Sequence, residues 1–323
     1  MTVPVNQRGL EENVTGTEPL LSVRNLSVTA GPYDAVRDVT FQLPRTASLA
    51  LVGESGSGKS LTASSIAGLL APQLRASGSI QFDAIELVGQ PWEKRRQLAG
   101  SRIGFIFQEP MSSLHPVLTV GQQIGEGLRA HFDYSKAERQ ERIRDLLSLV
   151  GLSKGRQIAD SRIGELSGGM RQRVMIAMAI SCSPDLLIAD EPTTALDVTL
   201  QKQVIELLQS LREKMGLSLL LITHDLGVVA EVCDSAAVMY GGEVVETANT
   251  AELLHSPRHD YTKALLAAIP QLGDKRDRLP TIATTAPWLS DARLVPRDQR
   301  PQTTLVQESD SHWVRRDIGT ETR

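Results

Sequence analysis

The stretch Gly53-Glu54-Ser55-Gly56-Ser57-Gly58-Lys59-Ser60, GESGSGKS in one-letter code, decides the fold. It matches Gly-x-x-x-x-Gly-Lys-Ser, a composition suited to wrapping backbone around phosphates. Gly53, Gly56 and Gly58 carry no Cβ, so successive N–H groups can turn inward on a polyphosphate, while Lys59 offers a point charge to its terminal oxygens. Ser60 is the expected magnesium ligand, and Gly53 through Leu61 are the expected nucleotide-holding residues. The run ASLALV before the loop reads as a buried strand, and LTASSIAGLL after it reads as a helix. That order sets the phosphates on a helix N-terminus, where free N–H groups and the dipole favour anions.

Outward from the loop, short apolar runs recur at RIGFIFQ, DLLIAD, LSLLLIT and AAVMY, several separated by helical patterns. This alternation predicts an α/β fold with a parallel sheet. Gln108, Asp190, Glu191 and His224 fall at the carboxyl ends of such strands, where open parallel sheets collect their ligands. LLSVRNLSV and DVTFQLPRTASLALV read as further strands, and ordered structure is expected from Pro19, after a disordered tail over residues 1–18. From Val120 to about Leu152 the pattern turns helical: Ser135 and Glu138 form a capping box, and Ile143, Leu146, Leu147 and Val150 repeat at helical spacing. This predicts an inserted helical subdomain over about residues 115–166. Tyr240-Gly241-Gly242-Glu243 predicts a tight hairpin, and TAELLHSP and DYTKALLAAIP two short helices. Beyond Pro270 the pattern dissolves into an extended or partly docked tail with isolated Trp288 and Trp313. No internal repeat is visible.

With 323 residues, 41% of them hydrophobic, the chain can build one large compound domain plus appendages. A formal charge of −4 and no long basic stripe give no electrostatic reason to propose nucleic acid as a partner. WEKRR around Lys94 reads as a solvated face. The two cysteines, Cys182 and Cys233, lack CxxC spacing and read as buried small residues rather than a disulfide or metal framework. The N-terminus has no signal-peptide core, and no stretch approaches the roughly twenty apolar residues that span a bilayer. A cytoplasmic location is expected.

A phosphate loop alone leaves kinases, GTPases and many ATPases open, and LSGGMRQR (Leu166–Arg173) followed by LLIADEP narrows the field. Their order after the phosphate loop resembles the ATP-binding cassette (ABC) ATPases. The resemblance implies a P-loop NTPase, RecA-like core with an antiparallel β subdomain, an inserted helical subdomain and a C-terminal extension. It implies ATP and Mg2+ as ligands, with Ser60, Gln108 and Asp190 at the magnesium and Glu191 as general base. Gln108 matches the family's Q-loop, Asp197 its D-loop and His224 its switch histidine. Leu166, Ser167, Gly168, Gly169 and Met170 match the signature that contacts the ATP of a second ATPase subunit, paired head to tail. The family stacks adenine on an aromatic residue just after the first strand; this chain has Ala30 there, with Tyr33 three residues on as a candidate substitute.

LVGESGSGKSLTASSIAGLL, FQEPMSSLHPVLTVGQQI and DEPTTALDVTLQKQVIELL closely resemble the ATPase subunits of dipeptide, oligopeptide and nickel importers, over roughly residues 20–270. HSPRHDYTKALLAAIP resembles the segment those subunits carry after the cassette, with Asp260 where Pro is usual. The resemblance divides the chain into a cassette over residues 19–250 and an importer-type extension and tail over 251–323. It implies two membrane permeases, an extracytoplasmic solute-binding protein and a peripheral place on the cytoplasmic face of the inner membrane. His115 replaces a usual Asn, and the cysteine-rich stretch of many such subunits is absent, so no iron–sulfur cluster is carried over. Pro257 argues against a metal site at His255 and His259. An exporter subunit, or a cassette protein acting on ribosomes or DNA, are the alternative readings.

Overall fold

In the computed structural model, which describes residues 18–31, 33–194, 196–268 and 303–317, the strands sort into two sheets. β1 (Leu21–Ala30) pairs antiparallel with β2 (Tyr33–Leu43), and β3 (Ser48–Val52) leads through the phosphate loop into α1 (Lys59–Ala67). β4 (Leu74–Phe82) and β5 (Ile85–Glu86) complete an antiparallel sheet of order β2-β1-β4-β5. The chain continues through α2 (Trp92–Leu98), β6 (Ile103–Ile106) and α3 (Pro110–Ser113) to the helices α4 (Val120–His131), α5 (Lys136–Leu149) and α6 (Gly155–Asp160). Next come α7 (Gly168–Ala179), β7 (Leu186–Asp190), α8 (Val198–Met215), β8 (Ser218–Thr223), α9 (Leu226–Val232), β9 (Ser235–Tyr240) and β10 (Glu243–Asn249). The described chain ends with α10 (Thr250–His255), α11 (Asp260–Ala267), β11 (Thr303–Ser309) and β12 (His312–Asp317).

The second sheet has the order β11-β12-β10-β9-β3-β8-β7-β6, parallel from β9 to β6 and antiparallel beyond. Every residue of β3, β7 and β8 is buried, as expected for parallel strands covered on both faces. The strand period of two divides each run between two cores. Leu49, Leu51, Leu220 and Ile222 face the antiparallel sheet and α1, whereas Ala50, Val52, Leu219 and Leu221 face the helical side with Val174, Leu208 and Val229. The fold is α/β, with loops after β3, β6, β7 and β8 gathered at one sheet edge.

Local rules account for the helical segment. Thr119 caps α4, and Ser135 caps α5 reciprocally: Ser135 Oγ accepts from the Glu138 N–H at 3.3 Å, while the Ser135 N–H donates to Glu138 Oε2 at 2.8 Å. Ile143, Leu146, Leu147 and Val150 are buried with Val120, Ile124 and Leu128 in one cluster. Gly241 and Gly242, at φ 57 and φ 92, supply the two left-handed residues of the β9–β10 hairpin turn, in which Tyr240 faces Glu243.

One expectation is refined. Of the extended or partly docked tail expected here, residues 303–317 are docked, as an unforeseen hairpin, β11–β12, added to the main sheet through Thr247 and Trp313. Apart from the fully buried Val314 and Leu305, which packs against the core, its anchors are polar, so little apolar periodicity announces it. His312 Nε2 lies 2.6 Å from Glu246 Oε1, and Glu246 also accepts the N–H groups of Arg258 and His259. Arg315 donates to Val244 O at 2.7 Å and pairs with Asp38 at 3.3 Å. Arg95, within the expected solvated face, donates to Ile66 O at 3.2 Å near the end of α1. Both cysteines are buried. Residues 1–17 and Trp288 lie outside the described residues.

Candidate nucleotide site

The phosphate loop turns between β3 and α1 because glycine permits two unusual conformations. A Cβ on Gly53, at φ +155, would meet Met239 O at 2.2 Å, and Gly58, at φ +101, precedes the first residue of α1. Lys59, only 4% exposed, folds back along the loop and donates to Gly53 O and Glu54 O, each at 2.8 Å. Burial lowers its pKa, with the charges of Glu191 and Asp190 opposing the shift. The ammonium also reaches Ser57 Oγ at 3.5 Å; all three acceptors are neutral, so its charge stays uncompensated within the loop and attracts an entering anion.

Ser60 Oγ donates to Asp190 Oδ1 at 3.0 Å, joining the start of α1 to the end of β7. Asp190 is buried, and desolvation pushes its carboxyl above the ordinary value, helped by the charge of Glu191 and opposed by Ser60 and Lys59. A buried carboxylate and a hydroxyl, both hard oxygen donors side by side, suit a divalent cation that takes phosphate oxygens as further ligands.

Three groups converge on Glu191 Oε2: Thr194 Oγ1 at 2.8 Å, Gln108 Nε2 at 3.3 Å and His224 Nδ1 at 3.6 Å. Glu191 adopts the left-handed region at φ 44, which costs a residue with a side chain roughly 1–3 kcal/mol. Its N–H donates to Ile222 O at 2.9 Å, so the β8 edge holds the strained turn in place. Gln108 follows β6 and His224 follows β8, hence adjacent strand ends deliver these three side chains to one point.

A cleft of about 860 Å³ opens over these groups. Its lining includes Gly53, Glu54, Ser55, Gly56, Gly58, Lys59, Ser60 and Leu61, together with Gln108, Glu191 and His224. Ser57 and Asp190 lie buried behind it. Leu166, Ser167, Gly168, Gly169 and Met170 do not line this cleft: Ser167 caps α7, accepting the Met170 N–H at 3.4 Å, and is itself exposed. Asp197 caps α8, accepting the Leu200 N–H at 2.9 Å. Tyr33 is 70% exposed and outside the lining, although Asp34 and Ala35 belong to it.

The ABC transporter family model matches residues 36–194, and the model for the oligopeptide/dipeptide transporter C-terminal region matches residues 245–294. A Brucella abortus protein named for peptide import and ATP binding is 45% identical over 300 residues, covering 90% of each chain. The chain belongs to the ABC transporter ATPases. The oligopeptide transport ATP-binding protein of Lactococcus lactis is 44% identical over 280 residues, 85% of this chain and 83% of its own. A dimeric ATP-binding cassette solved with ADP and phosphate superposes with a TM-score of 0.64 at 26% identity, over 71% of this chain and 98% of that one. This ABC ATPase is therefore an ATP-hydrolysing enzyme, and the cleft over Lys59 and Glu191 is its candidate nucleotide site.

Some lining residues of the cleft carry no motif. Asp34, Ala35, Gly241, Leu265 and Ala268 reach the cleft from β2, the β9–β10 turn and α11. Only the glycine turn had a local signal. His259 Nδ1 accepts the Tyr261 N–H at 3.1 Å and so caps α11, while His255 Nδ1 lies 2.8 Å from Ala251 O. Among the described residues no helix is long and apolar enough to cross a membrane.

Proposed function

We propose that this chain is one of two ATPase subunits that power a bacterial importer for peptides or similar small solutes, bound peripherally at the cytoplasmic face of the membrane to two permeases served by an external solute-binding protein. The convergence of Gln108, Thr194 and His224 on Glu191 Oε2, beside the Lys59 loop, carries the reading. The importer class is supported by the C-terminal match over residues 245–294 and by the names of the relatives.

The loop amides and Lys59 hold the β and γ phosphates, and Glu191 takes a proton from the attacking water. Gln108 orients that water through its amide. His224, 3.6 Å from Glu191 and largely exposed, contacts the γ-phosphate as the two subunits close. Ser60, Asp190 and Gln108 would hold Mg2+, whose charge would offset that of the phosphates. Ser167 and the N–H groups at the start of α7 serve the nucleotide of the partner subunit, a reading supported by the exposure of Ser167 and Gly168 and by their absence from this chain's own cleft lining. Asp197, at the start of α8, lies in the same subunit seam. Binding closes the pair and hydrolysis releases it, which moves the permeases.

The test is reconstitution of the chain with its co-purified partner ATPase and permeases in sealed vesicles, with ATP on the cassette side. Solute movement towards the cassette side, coupled to ATP loss, is the expected result. Movement the other way would make the complex an exporter, and binding of ribosomes or DNA in place of permeases would overturn the transport reading.

A further inference from the structure

The phosphate loop, Gln108, Glu191 and His224 account for most of the cleft lining; the remainder comes from Asp34, Ala35, Gly241, Leu265 and Ala268. A nucleotide whose phosphates sit at Lys59 must rest its base and ribose on something, and their faces are apolar enough to want apolar contact. Tyr33 is 70% exposed and outside the lining, and the β1 end carries Ala30, so the lining itself contains no Phe, Tyr or Trp side chain.

Helix α11 supplies what is missing. Tyr261 and Leu265 stand at i and i+4 of α11, and Ala268, the C-cap residue with αR backbone, continues the stripe at i+7. The Tyr261 end of the stripe is fully buried, its ring packed 4.4 Å from that of Tyr240, and its hydroxyl accepts the Glu54 N–H of the phosphate loop at 3.2 Å. The Leu265 and Ala268 end lines the cleft and is only half-buried, so apolar surface is left for a ligand. A single stripe therefore touches the loop at one end and walls the cleft at the other.

We infer that α11 is part of the ATP site: Leu265 and Ala268 form the apolar wall for the base and ribose, and Tyr261 is a positioning residue that holds the phosphate loop through Glu54. This rests on the assignment of the cleft to ATP. The C-terminal segment then acts directly on nucleotide affinity, and its docking and ATP binding strengthen each other.

The experiment measures the affinity of the full chain for Mg-ATP and for Mg-tripolyphosphate, which has the phosphates without base or ribose. Leu265→Asn should weaken Mg-ATP about fivefold and leave Mg-tripolyphosphate unchanged, because only apolar contact to the base end is lost. Leu265→Phe, which adds a flat ring to the wall, should hold or strengthen Mg-ATP and likewise leave tripolyphosphate alone. Tyr261→Phe keeps the ring but removes the acceptor of the Glu54 N–H, and should weaken both probes together. An unchanged Mg-ATP affinity in Leu265→Asn, or an equal loss of both probes, would overturn the wall; unchanged affinities in Tyr261→Phe would overturn the positioning role. Lys59→Ala separates these failures from failure of the site itself. If it still binds both probes as the parent does, the cleft is not the ATP site; if it loses both, only the α11 inference stands or falls on Leu265 and Tyr261.

Discussion

Ser60 Oγ donates to Asp190 Oδ1 at 3.0 Å, a bond that joins residues 130 positions apart and sets the start of α1 against the end of β7. The phosphate loop and the acidic strand end are thus one unit, and Lys59 and Glu191 flank it. Substitutions around this contact should separate binding from turnover.

Lys59→Ala should lower ATP affinity by roughly a hundredfold, since charge-assisted hydrogen bonds to the phosphates are lost. The fold should survive, because the ammonium bonds only within the loop, to the carbonyls of Gly53 and Glu54 at 2.8 Å and to the Ser57 hydroxyl at 3.5 Å. Nucleotide titration with magnesium, with circular dichroism as the folding control, checks both halves.

Glu191→Gln should bind ATP at near parental affinity and lose about 10²–10⁴ in turnover, as the amide keeps the carboxylate's shape but not its basicity. ATPase assays on the assembled complex decide it; near-parental turnover would remove Glu191 from the role of general base.

Ser167→Arg places a long side chain at the exposed start of α7, outside this chain's own cleft. The isolated subunit should bind ATP normally, while the assembled complex loses solute uptake at least tenfold. Normal uptake would contradict the head-to-tail site.

Asp83 tests the junction between the two sheets, where it pairs with Arg45 and, at 2.7 Å, with Arg102. Burial alone would raise its pKa, but hydrogen bonds from Arg102 and Arg45 and their charges outweigh that and hold the carboxyl below its ordinary 3.8. A depressed folded-state pKa contributes stability that is complete above the unfolded value and disappears as pH falls through the folded one. Asp83→Asn should therefore cost on the order of 1 kcal/mol at pH 7, with the gap from the parent closing as pH drops below 3.8. Thermal unfolding of both proteins across this range reads the difference, and a gap independent of pH would rule out the ion pair as its source.

Much of the architecture is legible one segment at a time. SLALV, LLIAD and SLLLIT are continuous apolar runs and become fully buried parallel strands, and Ser135 with Glu138 announces the start of α5 and forms that cap. Gly53 and Gly58 stand where the loop needs conformations that a side chain would obstruct. These features are encoded locally, because hydrophobic period, capping and backbone freedom act within a few residues.

Other relationships belong to the tertiary structure alone. Gln108 reaches Glu191 across 83 positions, and Tyr261 reaches the Glu54 N–H across 207. The hairpin of β11 and β12 docks through His312 on Glu246 and Arg315 on Asp38, residue types common in surface segments. Polar pairing leaves no period in the chain: its partners are chosen by which groups the fold buries together, since a buried donor or charge is tolerated only where an acceptor meets it. Local patterns thus specify the phosphate loop and the buried parallel strands, whereas packing brings Leu265 and Ala268 to the cleft lining and adds the C-terminal strands to the sheet.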